Sequence, residues 1–376
     1  MKKHFLFVAL FFAALSIGFI ACDNDDDPRL DNDKENAENN IENVVDDDST
    51  EDNIEGEEDY YSCDSTEIVC TGKAYETTST FTKIAATVHV PTTLLGQCTL
   101  GIQFSENLND LEEHENVKSF TTSNLTGNDY IVKLKYLRDN TTYYYCAYVY
   151  LNGVYHYGLI RSFKTLEYDK IDGHAYVDLG LPSGLKWATC NVGATKPEEY
   201  GDYFAWGEVE PKEVYNWNTY KWATATRHPE YNFLWNLEKL TKYNTNSDYG
   251  TVDNKTVLDP EDDAASVNMG GSWRMPTFDE IKELINECTW TWTSNYNGTG
   301  IAGRIVTSKI NGNSIFLPAA GYRSTSDNDS NFGYYLSSSL SDSSTGAYEI
   351  LFGDNIYNCK SHLIRACGRS VRGVYK

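Results

Sequence analysis

The chain has 376 residues, a net charge of −24 and 14% aromatic content, with abundant Gly and Tyr and few Pro. An acidic surface repels phosphate, so nucleic acid is excluded as a partner. The segments expected along the chain are a leader, an acidic run and two folded regions, mainly β with some α.

Residues 1–21 read as a lipoprotein signal peptide. Lys2 and Lys3 give a charged start, and Phe5 to Ala21 is almost wholly apolar but short for a spanning helix. The stretch Phe19-Ile20-Ala21-Cys22 resembles a bacterial lipobox, with Phe where Leu is more usual. That resemblance implies cleavage before Cys22 and acylation of its thiol, so Cys22 is the expected lipid attachment and the membrane is reached through it.

Residues 22–62 are expected to be an acidic disordered tether. Between 23 and 60 there are 18 Asp or Glu against Arg29 and Lys34, so two-thirds of the net charge lies in a tenth of the length. Such a segment lacks the apolar residues needed to order itself, and a flexible chain of its length spans roughly 30–37 Å. The run Asp23-Asn24-Asp25-Asp26-Asp27 resembles the acidic export signal of Bacteroidota surface lipoproteins. It implies a cell-outer-membrane location, lipid-anchored and surface-exposed.

Residues 63–168 show period-two patterning. Ala86, Val88 and Val90 share one face, as do Leu100, Ile102 and Phe104, and Asn152-Gly153 sits between two strand-like runs as a hairpin signal. This spacing predicts a β-sandwich. The run Leu137 to Tyr143 resembles the corner of fibronectin type III domains, and that resemblance gives Tyr143 a core ring whose hydroxyl bonds to the backbone. Tyr145, Ala147 and Val149 continue its face, while Tyr144, Tyr148, Tyr155 and Tyr157 are expected to pack across strands. Cys98 and Cys146 would lie on neighbouring strands, within reach of a bridge, in a compartment that permits disulfides. The domain reads as a spacer.

Residues 171–376 differ sharply, with all eight Trp between Trp187 and Trp292. Asp259 is expected to cap a helix begun by Pro260, with Glu261, Asp262 and Asp263 in its first turn. Thr277 and Glu280 form a capping box for a second helix that buries Ile281, Leu284, Ile285 and Cys288. "HAYVDLGLPSGLKWATCNVGA", "YGDYFAWGE", "DDAASVNMGGSWRMPT", "NGNSIFLPAAGYR", "GYYLSSS" and "GRSVRGV" follow in order across 174–374. Together they resemble the Fibrobacter major paralogous domain, which implies an α+β C-type-lectin-like fold. Leu336 and Gly373 depart from that pattern, where Trp and Pro are usual.

No catalytic arrangement of His, Ser or Cys is present in a known motif, so no enzyme and no cofactor are expected. Ser183 lacks the flanking glycines of a nucleophile elbow. Glu261, Asp262 and Asp263 fit a helix first turn as well as a calcium site, and no metal is expected. The formylglycine-generating enzyme has a related fold, and Cys359 and Cys367 could imitate its cysteine pair; a disulfide or two unrelated thiols fits that spacing better. In lectin-like folds the last strands present the ligand surface, and some such proteins are diversified there by retroelements. Here that stretch mixes contact-forming and adaptable polar residues. Asn355, Tyr357, Asn358, Lys360, His362 and Arg365 are the ligand-binding candidates, for a glycan or protein ligand on another cell or in the host. The competing readings are a structural or fimbria-like surface component and, behind it, the cysteine-oxidising enzyme.

Overall fold

The computed structural model describes residues 66–229, 235–324 and 331–376. The signal peptide, Cys22 and the acidic run lie outside the described residues. Among the described residues no helix is long and apolar enough to cross a membrane.

The chain is mainly β. Its first part is a sandwich of nine strands: β1 (Val69–Tyr75), β2 (Phe81–Val88), β3 (Thr99–Ser105), β4 (Lys118–Thr122), β5 (Leu125–Thr126), β6 (Asp129–Lys135), β7 (Thr142–Leu151), β8 (Val154–Tyr157) and β9 (Arg161–Lys164). One sheet runs β1-β2-β6-β5 and the other β4-β3-β7-β8, with β9 also on β7. Alternation decides the core: Ile84, Ala86 and Val88 from one sheet meet Leu100, Ile102, Phe104, Tyr145, Ala147 and Val149 from the other. Two short helices, α1 (Thr92–Leu95) and α2 (Leu108–Glu112), flank β3.

Two local devices set the strand geometry. Asn152 and Gly153 both have positive φ, at 51° and 84°, which gives the β7–β8 hairpin its tight primed turn. The Tyr143 ring is buried, and its hydroxyl oxygen accepts the Arg138 backbone N–H at 2.9 Å. This is the tyrosine corner expected of residue 143. Tyr148 packs across strands against Tyr155 and Tyr157, and the Tyr150 and Tyr155 rings lie 4.6 Å apart.

The second part comprises β10 (Lys170–Ile171), β11 (His174–Asp178), β12 (Lys186–Asn191), β13 (Ala223–Arg227), β14 (Trp235–Leu240), α3 (Ala264–Met269), α4 (Phe278–Glu287), β15 (Cys288–Thr293), β16 (Gly303–Ser308), β17 (Ser314–Pro318), β18 (Gly333–Leu340), β19 (Gly346–Phe352), β20 (Tyr357–Ile364) and β21 (Arg372–Tyr375). Its sheets run β10-β11-β12-β21, β13-β14, β15-β16-β17 and β18-β19-β20. The last strand closes on β12, Trp187 facing Val374, so the two ends of this region are tied together.

Three arginines of the C-terminal stretch are fully buried: Arg365, Arg369 and Arg372. A buried guanidinium is tolerated only where partners replace water. Arg372 donates to the carbonyls of Ala188, Thr189 and Phe316 and to Asn191. Arg369 pairs with the equally buried Glu349 at 2.5 Å.

The two helix expectations have different outcomes. Thr277 and Glu280 do form a capping box on α4, which buries Ile281 and Leu284. Cys288, placed on that helix from sequence, instead opens β15. The helix expected from Pro260 is only a single 3₁₀ turn, Pro260–Asp262, and α3 starts afterwards with Asp263 as its cap, accepting from the Ser266 N–H. Asp259 makes no capping bond because Lys242 and Lys255 hold its carboxylate, at 2.7 and 2.6 Å.

The sandwich and the second region form one compact unit, 61–376. Arg138 joins them: one guanidinium nitrogen pairs with Glu106 at 3.2 Å and the other donates to the Asn297 carbonyl at 2.5 Å.

Candidate functional site

The candidate surface is the turn between β19 and β20. These strands pair with Phe352 opposite Tyr357, leaving Gly353–Ile356 as the connection, closed by a bond from the Gly353 N–H to the Ile356 carbonyl at 2.7 Å. Asp354, Asn355, Ile356, Tyr357 and Asn358 are all exposed.

Beneath the turn lies Arg304, on β16 and only 6% exposed. Its Nε and Nη2 both donate to the Gly353 carbonyl, at 3.0 and 2.7 Å, and Nη2 reaches the Asp354 carbonyl at 2.6 Å. Nη1 donates to the Trp290 carbonyl at 2.7 Å. Burial lowers the guanidinium pKa from its ordinary value, with the Asp354 carboxylate opposing that shift. One cation therefore ties the turn to β15.

Tyr357 is 43% exposed, and its ring stacks on Trp290 at 5.4 Å with a 6° angle between planes. The Arg304 guanidinium lies 5.3 Å from the Tyr357 ring centroid and 5.8 Å from that of Trp292. The exposed ring is thus oriented before any ligand arrives, which lowers the ordering cost of a contact.

The sequence-derived candidates divide. Asn355 and Tyr357 come together at the turn. Asn358, one residue on, faces the other side of β20 by strand alternation. The side chains of Lys360 and His362 lie outside the described residues.

Arg365 must be corrected. It is fully buried, donating to the carbonyls of Tyr243 and Lys242 at 2.7 and 2.9 Å, and its guanidinium lies between the Trp206 and Tyr220 rings. A side chain so engaged cannot contact an external ligand.

The Cys98–Cys146 bridge that the sequence allows is not formed. Cys359 and Cys367 are not joined by a disulfide either, which leaves the alternative of two unrelated thiols. Cys70 is disulfide-bonded, with a partner outside the described residues.

Asp259, Glu261 and Asp262 do converge. Between them sits the Lys242 ammonium, 2.7 Å from Asp259, 2.5 Å from Asp262 and 4.0 Å from Glu261. Lys221 and the Tyr243 hydroxyl add further bonds to Asp262. A lysine therefore balances this cluster. Asp263 is turned away, accepting the N–H groups of Ser266 and Met275.

Sequence reasoning missed Arg304 and Trp290. The only signal was an arginine beside Ile305 and Val306 in an otherwise uncharged strand, "GRIVTS", where a buried charge needs partners.

No protein-family model matches the chain, and no curated protein matches it. Solved structures match part of it. The sensor domain of the anti-sigma factor RsgI4 in Pseudobacteroides cellulosolvens is 24% identical, covering 26% of this chain and 74% of its own, at a TM-score of 0.21. The fibronectin type III domain of human KIAA0970 protein is 14% identical, over 28% of this chain and 77% of its own, at a TM-score of 0.21. The fibronectin type-III domain of human fibronectin type III domain containing protein 3 is 13% identical, over 27% and 85%, at 0.20. Likenesses at these scores carry no argument about this protein.

Proposed function

We propose that the protein is a surface lipoprotein whose C-terminal lectin-like head binds a glycan or protein ligand through the β19–β20 turn, without catalysis. Lipid on Cys22 holds the chain to the outer membrane, the acidic run extends it from the surface, and the sandwich carries the head. The C-terminal region is read as a Fibrobacter major paralogous domain on the motifs spanning 174–374.

The observation that supports this reading most is Tyr357, an exposed aromatic ring stacked on Trp290 over a buried Arg304. Rigid aromatic anchors beside adaptable amides are the composition of recognition surfaces. Asn355 supplies the amide at the same turn. The test is a binding screen of the full chain on glycan and host-surface-protein arrays, with and without chelator, repeated with Tyr357→Ala. Saturable binding that the substitution abolishes supports the reading; binding that it leaves unchanged removes the turn from it.

A further inference from the structure

A hollow of about 460 Å³ opens where the sandwich, the connecting segment and the head meet. Asp139 comes from the sandwich, Tyr168 and Lys170 from the connection, Cys190 from β12, Ala194 from the turn that follows, and Met269 from the end of α3. The volume lies in the range of small-molecule sites, which favour such junctions.

Its floor is rigid. β12 pairs with β11 on one side and β21 on the other, and the buried Arg372 guanidinium donates to the Ala188 and Thr189 carbonyls. Burial raises the pKa of the Asp139 carboxyl, with the Tyr168 N–H acting in the opposite sense, and burial also pushes up the Cys190 thiol. Both groups are partly buried.

The charge on the lining narrows the ligand. Glu167 and Lys170 pair with each other at 2.9 Å, which leaves the Asp139 carboxyl and the His174 imidazole as the acid and base of the lining outside that pair. A phosphate or carboxylate ligand would meet no lysine or arginine outside that pair, and would face the Asp139 carboxyl. What the walls offer is a carboxylate, an imidazole, amide, hydroxyl and backbone polar groups, and apolar surface from Ala175, Ala194 and Met269. That combination suits a molecule with many hydroxyls and a C–H face.

We propose that this hollow binds a neutral sugar, with Asp139 accepting its hydroxyls and Met269 and Ala194 against its C–H face. The site is separate from the β19–β20 turn and does not depend on the reading given above.

Cys190 supplies an internal reporter, since it is a free, half-buried thiol in the wall. The full chain is alkylated with iodoacetamide in the presence of millimolar glucose, galactose, mannose or N-acetylglucosamine, and each cysteine is followed by mass spectrometry. At roughly tenfold its Kd, a sugar held here slows alkylation of Cys190 by about tenfold, with Cys98 and Cys367 unaffected. Asp139→Asn, which keeps the shape, should abolish the protection, and Tyr357→Ala should leave it intact. Calorimetry with the same four sugars and the same variants gives the answer if Cys190 reacts too slowly to follow. Absence of binding by all four sugars overturns the proposal. So does protection that survives Asp139→Asn, protection lost in Tyr357→Ala, or protection by a diamine such as putrescine alone.

Discussion

Arg304 holds Gly353 by a forked contact: two guanidinium nitrogens donate to the one carbonyl oxygen, at 3.0 and 2.7 Å. A buried strand residue thereby dictates the conformation of an exposed turn. Arg304→Met would leave the carbonyls of Gly353, Asp354 and Trp290 without that donor. The expected cost is about 1–3 kcal/mol in stability. Ligand affinity should fall with it, because the Tyr357 ring loses the cation beneath it. Urea unfolding and a binding isotherm on one preparation check both effects.

Tyr143 and Arg138 set a smaller test in the sandwich. Tyr143→Phe keeps the buried ring but removes the oxygen that accepts the Arg138 N–H. The expected loss is about 1 kcal/mol, read as a lower urea midpoint with an unchanged slope.

The Glu349–Arg369 pair is the most buried ion pair among the described residues, both side chains at most 2% exposed. Removing one partner strands the other, so Glu349→Gln or Arg369→Met should each cost about 3–5 kcal/mol. Replacing both by apolar residues of similar volume should cost less than either single change. A double-mutant cycle by chemical unfolding measures the difference.

Acid stability should depend on Asp259. Lys242, then Lys255, lower its carboxyl pKa to about 2, against an ordinary value of 3.8. A depressed folded-state pKa means that this stabilisation is fully present above pH 4 and is lost as pH falls toward 2. Asp259→Asn should therefore be less stable at neutral pH and should lose less between pH 4 and pH 2. Unfolding midpoints across that window provide the comparison.

The sandwich was the more legible half of the chain, because its signals are local. Ile102, Phe104, Ala147 and Val149 alternate along their strands, and Asn152-Gly153 carries its turn in its own backbone preferences. The α4 capping box was legible for the same reason. Elsewhere the deciding partners are distant in sequence. Asp259 resembles a helix cap until Lys242 takes its carboxylate. Arg365 resembles a surface contact until the carbonyls of Lys242 and Tyr243, more than 120 residues away, enclose it. Arg304 and the turn it clamps are about 50 residues apart, so no window of sequence contains the relation. At the turn itself composition pointed to polar and aromatic residues, of which Asn355, Tyr357 and Asn358 are exposed. It could not show that Asn355 and Tyr357 share the tip while Arg365 lies in the interior.

The measurement that tests the central claim most directly is binding of the full chain to glycan and host-surface-protein arrays, with Tyr357→Ala and Arg304→Met beside the unaltered protein. The account predicts a saturable ligand whose affinity falls at least about tenfold, or 1.4 kcal/mol, in Tyr357→Ala while the fold is retained. A well-folded protein that binds nothing on either array, or that self-associates instead, would contradict it and favour a structural role at the cell surface.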